Sequence, residues 1–296
     1  MPEKYQRIDF RDQISNNKLK SFFLIVIIFA VIIGLGYVIA KAMAPGSFFF
    51  IMIFASLFSI FYVWISYYNS HKIAIASVGA KKASRQEYKQ YYDIVEGLTL
   101  ASGLPMPELY IMPSNQINAF ASGRDPKHAV VCVTNGALDK LEKKELEGVL
   151  AHELGHIASY DMRYMTVVAV MVGMISIISQ MFLRSLWFKS GGDDNKGNAI
   201  FIVLALILAI LAPIVVWLVQ MSISRKREYS ADASAVKFTR YPPGLIGALK
   251  KIQKENIVPE KKVSQAMAPL FISSPVREWS STHPPLEKRI KILERM

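Results

Sequence analysis

The sequence predicts a mainly α membrane protein: four transmembrane helices joined to a cytoplasmic α+β domain, in which a small sheet feeds a helix carrying an H-E-x-x-H pattern. Three observations carry that prediction. The chain contains four long uncharged apolar runs. Its lysines and arginines gather at the ends of those runs. Between the second and third runs the residue pattern passes from helical spacing to strand alternation and back. With 296 residues and 52% hydrophobic content, the chain can bury a sizeable core and is more apolar than an ordinary soluble domain.

Residues 1–20 form a polar N-terminal segment bearing Lys4, Arg7, Arg11, Lys18 and Lys20. The first apolar run, Ser21 to Ala40, is roughly 20 residues long and too extended for the core of a signal peptide, so it reads as a retained anchor. Ala42 to Ser70 is the second run, interrupted near Pro45-Gly46. The third and fourth, Tyr164 to Leu183 and Gly197 to Ser224, either cross the bilayer or pack as a hairpin against protein. Positive charge follows the second run at Lys72, Lys81, Lys82, Arg85 and Lys89, and the fourth at Arg225, Lys226 and Arg227, while the loops around 41–47 and 184–196 carry less. By the positive-inside rule both termini and residues 71–163 face the cytoplasm of a cell or plasma membrane, as does 225–296 beyond the 164–224 hairpin. The net charge of +12 is therefore a topology signal, with phospholipid headgroups as its counterpart rather than nucleic acid.

The cytoplasmic stretch reads in order as a helix over Ser84–Ser102 stopped by Gly103, a strand Glu108–Met112, a turn-prone segment around Ser122-Gly123-Arg124-Asp125-Pro126, and a strand His128–Thr134. Asn135-Gly136 then leads into Ala137–Lys144 and the amphipathic run that carries the motif. The single cysteine, Cys132, excludes an intramolecular disulfide and reads as a small buried strand residue. After the fourth run, a helix over Glu228–Lys237 is expected to stop at Pro242-Pro243, with another over Gly244–Lys254. Ile257–Ser274 is read as irregular or as a flap, and a last helix opens at Thr282-His283-Pro284-Pro285.

The chemistry centres on His152-Glu153-Leu154-Gly155-His156. Histidines at i and i+4 share one helical face and can hold one Zn²⁺, while Glu153, about 100° around the helix, reaches a water on that metal. A catalytic zinc site needs a third protein ligand and an open position. Candidates for that ligand lie in Ser224-Arg225-Lys226-Arg227-Glu228-Tyr229-Ser230-Ala231-Asp232, where Glu228 and Asp232 are again four apart. If Glu228 ligates, Asp232 is placed to accept a hydrogen bond from the far nitrogen of an imidazole, His152 in particular. Zinc lowers the pKa of bound water from about 15.7 towards 7, so that Glu153 can serve as general base and then deliver the proton to a leaving amine.

H-E-L-G-H followed by two apolar runs and then S-R-K-R-E-Y-S-A-D resembles the HtpX family of integral-membrane zinc metalloproteases, relatives of the CAAX prenyl proteases. The Asn118-Ala119-Phe120-Ala121 stretch, the V-C-V-T-N-G strand end and T-H-P-P-L-E-K-R-I resemble further blocks of that family, in its order and over nearly the whole chain. The resemblance implies a zincin-like metalloprotease domain with His152, His156 and Glu228 on one Zn²⁺, Glu153 as base and Asp232 behind a ligand. It also implies that Asn118 and His283 approach the substrate or the tetrahedral intermediate. Expected substrates are polypeptides, unfolded or membrane proteins, handled in membrane-protein quality control under stress.

The strand His128–Thr134, taken as the sheet edge above the zinc, is expected to bind an extended peptide by strand addition. Two other classes compete. A non-catalytic zinc-containing membrane scaffold has no use for an acid beside its ligand, and a transporter is disfavoured because the apolar runs carry no acidic residues.

Overall fold

The computed structural model describes residues 10–43, 46, 48–167, 225–255, 270–272 and 284–296. Two long helices open the chain, α1 (Phe10–Met43) and α2 (Phe48–Ser77), and they pack against each other. At 1.5 Å per residue, the 34 residues of α1 extend about 51 Å, well beyond a hydrocarbon core of about 30 Å. Among the described residues one helix, α2, is long and apolar enough to cross a membrane. The third and fourth apolar runs lie outside the described residues, apart from 164–167.

The sheet has four strands: β1 (Lys81–Lys82), β2 (Glu108–Met112), β3 (Ala119–Gly123) and β4 (Ala129–Thr134), in the spatial order β1-β2-β4-β3. β4 runs parallel to β2 and antiparallel to β3. It is therefore an internal strand, which corrects the expectation that residues 128–134 form the edge. The edge is β3, whose outer side takes an antiparallel bridge between Phe120 and Phe271.

Helices cover both faces. α3 (Lys89–Ser102) ends at Gly103 with φ 73°, the left-handed cap a glycine supplies at little cost. It packs on the sheet with α5 (Lys143–Ala158), burying Tyr91, Val95 and Leu98 against Leu109, Val131 and Val133. The opposite face buries Phe120, Val130 and Cys132 against Ala74 and Ile75, in the last turns of α2, and against Leu270 and Phe271. α2 thus continues directly into the core beneath the sheet. α4 (Asn135–Lys140) is capped by the Thr134 hydroxyl, which accepts from Ala137 N–H at 3.1 Å. After the undescribed stretch come α6 (Arg225–Thr239), α7 (Pro242–Glu255) and α8 (Leu286–Leu293). Pro242-Pro243 opens α7 instead of only ending its predecessor, because proline at the first helical position loses no hydrogen bond.

Candidate metal centre

α5 starts at a reciprocal cap in which the Glu142 N–H donates to Glu145 Oε2 at 2.8 Å and the Glu142 side chain accepts from the Glu145 amide. From Gly148 to Ile157 every residue is buried, since α3, α6, α7 and β3 all pack on this helix. Two glycines make the close approaches possible. A Cβ on Gly148 would lie 2.5 Å from Leu245 N on α7, and one on Gly155 would lie 3.1 Å from Ala231 Cα on α6. The glycine inside the H-E-L-G-H pattern therefore lets α6 cross near enough for its carboxylates to reach the histidines.

His152 and His156 stack edge to face with ring centroids 4.8 Å apart. Their Nε2 atoms lie 3.7 and 3.6 Å from the two oxygens of Glu228, and one donor atom from each of the three residues falls within 4.8 Å of the others. Two metal bonds of about 2.1 Å at a tetrahedral angle span about 3.4 Å, so this buried set of two imidazoles and a carboxylate fits a zinc-type cation. Glu153 is 1% exposed, and neither of its oxygens meets a donor at hydrogen-bond geometry, although the Ala121 amide lies near enough to favour its charged form. Burial pushes its pKa up to about 7; His156, Ala121 and Arg289 oppose the shift and Glu228 adds to it.

The two imidazoles sit in different fields. Burial and then Arg289 lower the pKa of His152 against the pull of Asp232, whose Oδ1 is 2.9 Å from His152 Nδ1. For His156, burial alone would lower the pKa, but the Asp161 hydrogen bond together with Glu228 and Glu153 raises it. Asp232 is also desolvated, yet Arg289 and His152 hold its carboxyl below the usual range.

The structure thus brings together His152, Glu153, His156, Glu228 and Asp232, on α5 and α6. Asn118 stands buried at the head of β3, where its Oδ1 accepts from the next residue's amide at 3.1 Å. His283 lies outside the described residues. The sequence reading missed Arg289. Although 0% exposed, it donates from Nε and Nη2 to Asp232 at 2.9 and 2.6 Å and places Nη1 3.3 Å from Glu228 Oε2. This two-pronged grip ties the Glu228 carboxylate to the one behind His152. The available signal was an arginine one turn into a short helix of strong amphipathic pattern, Leu286-Glu287-Lys288-Arg289-Ile290, on a face shared with apolar residues.

A model of Peptidase family M48 matches residues 85–296. Among the most similar relatives, a Protease HtpX homolog of Dictyoglomus turgidum is 42% identical over 292 residues, covering 97% of this chain and 95% of its own. A protein of the same name from Caldanaerobacter subterraneus is 42% identical over 289 residues, covering 95% of each. Another from Tropheryma whipplei is 40% identical over 289 residues, covering 96% of this chain and 97% of its own. Among solved structures, that of S. mikatae Ste24p superposes with a TM-score of 0.50 at 19% identity, covering 94% of this chain and 66% of that one. This last likeness is one of fold.

Proposed function

The chain belongs to peptidase family M48 and is a metalloprotease, and on that premise we propose that it is a membrane-bound zinc endopeptidase hydrolysing misfolded or membrane proteins at the cytoplasmic face. The observation that carries this reading is the buried donor set of His152, His156 and Glu228 beside a carboxylate, Glu153, whose oxygens meet no donor at hydrogen-bond geometry. Zn²⁺ held by those three side chains would acidify a bound water and polarise a peptide carbonyl. Glu153, whose carboxyl burial makes more basic than a free one, would take a proton from that water and return it to the leaving amine. Asp232 keeps the Nδ1 proton of His152 in place so that Nε2 is left to ligate. Arg289 lies against both Asp232 and Glu228, so its one positive charge offsets part of theirs and holds the Asp232 carboxyl below the usual range. Asn118, at the head of β3, and His283, ahead of α8, are proposed to meet the tetrahedral intermediate.

Strand addition is proposed at β3 rather than β4. The outer edge of β3 runs beside Glu153, and Ile272 N–H donates to Ala119 O there at 3.0 Å, so the edge accepts an extended antiparallel segment. Such binding needs substrate in unfolded or flexible form.

The bilayer placement rests on α2, whose Phe49, Phe54, Leu57 and Trp64 point outward from the protein. We assign 1–20 to a cytoplasmic lead, 21–70 to two spans, 164–224 to a transmembrane hairpin, and 71–163 with 225–296 to one cytoplasmic catalytic domain. The test uses detergent-purified full-length protein and casein. Cleavage should stop with a chelator and return with Zn²⁺, and Glu153→Gln should lower turnover by about 10²–10⁴-fold at unchanged zinc content. Undiminished cleavage in the variant, or in chelator, overturns the reading.

A further inference from the structure

Each imidazole of the site has a carboxylate behind it, but the two carboxylates come from different places. Asp232, behind His152, is on α6 and gripped by Arg289. Behind His156 lies Asp161, just past the end of α5, with Oδ2 3.5 Å from His156 Nδ1. Asp161 is 0% exposed and is held on both oxygens. Ser159 Oγ–H donates to Oδ2 at 2.7 Å, and Asn17 Nδ2 donates to Oδ1 at 2.6 Å, with Arg227 Nε farther off at 3.7 Å.

Asn17 belongs to α1 and lies 144 positions away in the chain. It is 3% exposed, and it also donates to the Ser159 carbonyl at 3.0 Å. Between Ser159 and Asp161, Tyr160 takes φ 60°, a left-handed conformation that a non-glycine residue keeps only where its surroundings enforce it. Lys18, the next residue of α1, places Nζ 4.5 Å over the Tyr160 ring. Two consecutive α1 residues therefore clamp the turn that swings Asp161 back beneath His156.

We propose that Asp161 is the positioning residue for His156 and that Asn17 of α1 holds it there, so that the first helix is part of the metal site as well as an anchor. This rests on the reading of His152, His156 and Glu228 as metal ligands. An imidazole that ligates through Nε2 must carry its proton on Nδ1, and a fixed carboxylate facing Nδ1 both selects that tautomer and makes Nε2 more basic. Without the Asn17 amide, Asp161 Oδ1 keeps only the distant Arg227, and the carboxylate is fixed at Oδ2 alone, where it can pivot about the Ser159 hydrogen bond.

The experiment measures Zn²⁺ affinity by chelator competition, together with the visible absorption of the Co²⁺-loaded form, for full-length wild type, Asp161→Ala, Asn17→Ala and the double variant. Each single change should weaken Zn²⁺ about 10–100-fold and shift the Co²⁺ bands, and the double variant should be no weaker than Asp161→Ala, because both act through one carboxylate. Asn17→Ala removes no charge, so a loss there reports positioning. If Asp161→Ala does not fold, Asp161→Asn keeps the shape, weakens the acceptor and is expected to shift the same bands. Wild-type affinity and spectrum in folded Asn17→Ala and Asp161→Ala (or Asp161→Asn) overturn this proposal while leaving the metal reading intact. Failure of the wild type to bind Zn²⁺ overturns both.

Discussion

Two helices of this chain are built inside out with respect to one another. α2 turns Phe49, Phe54, Leu57 and Trp64 outward at 79, 70, 63 and 56% exposure, whereas α5 buries His152, Glu153 and His156 at 0, 1 and 6%. In water both arrangements are unfavourable, the first by exposing apolar area and the second by stripping ionisable groups of solvent. The difference teaches that each helix answers to its own surroundings. Hydrocarbon around it would make the outward apolar face of α2 favourable, and the inward ionisable groups of α5 are matched one by one: Asp232 for His152, Asp161 for His156, and Glu228 shared between them. Glu153, buried in the same set, has the Ala121 amide nearby but no donor at hydrogen-bond geometry on either oxygen.

The comparison breaks most visibly at the carboxylate of Glu228. If Glu228 is the third ligand, as proposed, Glu228→Ala leaves the two imidazoles without their shared carboxylate, so Zn²⁺ affinity should fall by more than the roughly 10–100-fold expected for an outer partner such as Asp161. Metal analysis after dialysis should find less than one equivalent; full retention would place the third ligand elsewhere. On the other helix, Phe54→Lys puts a charge on the outward face of α2. If that face meets lipid, insertion should cost about 2.5–3.5 kcal/mol, read as the membrane-inserted fraction, against about 0.5 kcal/mol or less if it meets water. The smallest expected effect concerns the packing that allows α5 to be buried all round. Gly148→Ala places a methyl 2.5 Å from the Leu245 backbone and should destabilise the domain by about 1–3 kcal/mol in thermal unfolding, with the metal set untouched. Wild-type stability there would mean that α5 and α7 separate freely.

Much of the site was legible because its logic is local. His152 and His156 share a face through helical spacing alone, and so do Glu228 and Asp232. The strand Glu108–Met112 and the helix stop at Gly103 were also readable from pattern and from glycine's conformational freedom. β3 was passed over because Ala119-Phe120-Ala121-Ser122-Gly123 is buried along its whole length and made mostly of small residues, so no alternation of polar and apolar marks it as a strand. The expected helix from Ser84 starts only at Lys89, after a turn. The residues expected to form one lead-in to the motif divide at Leu141 into α4 and α5. Arg289 and Asp161 were missed because a charged residue in a polar stretch looks solvated until its neighbours are known.

What the sequence determined by itself are quantities set along one stretch of chain: the length of each apolar run, the shared face of the histidines, and the donor chemistry suited to a zinc-type cation. Tertiary structure alone decided which distant groups close on that face. It placed β3 rather than β4 at the sheet edge, brought Arg289 from the last helix under Asp232 and Glu228, and set Asn17 of the first helix against Asp161. The physical reason is that spacing along a helix is fixed by backbone hydrogen bonds. The meeting of residues 144 positions apart depends instead on how buried surfaces fit, which no local pattern encodes.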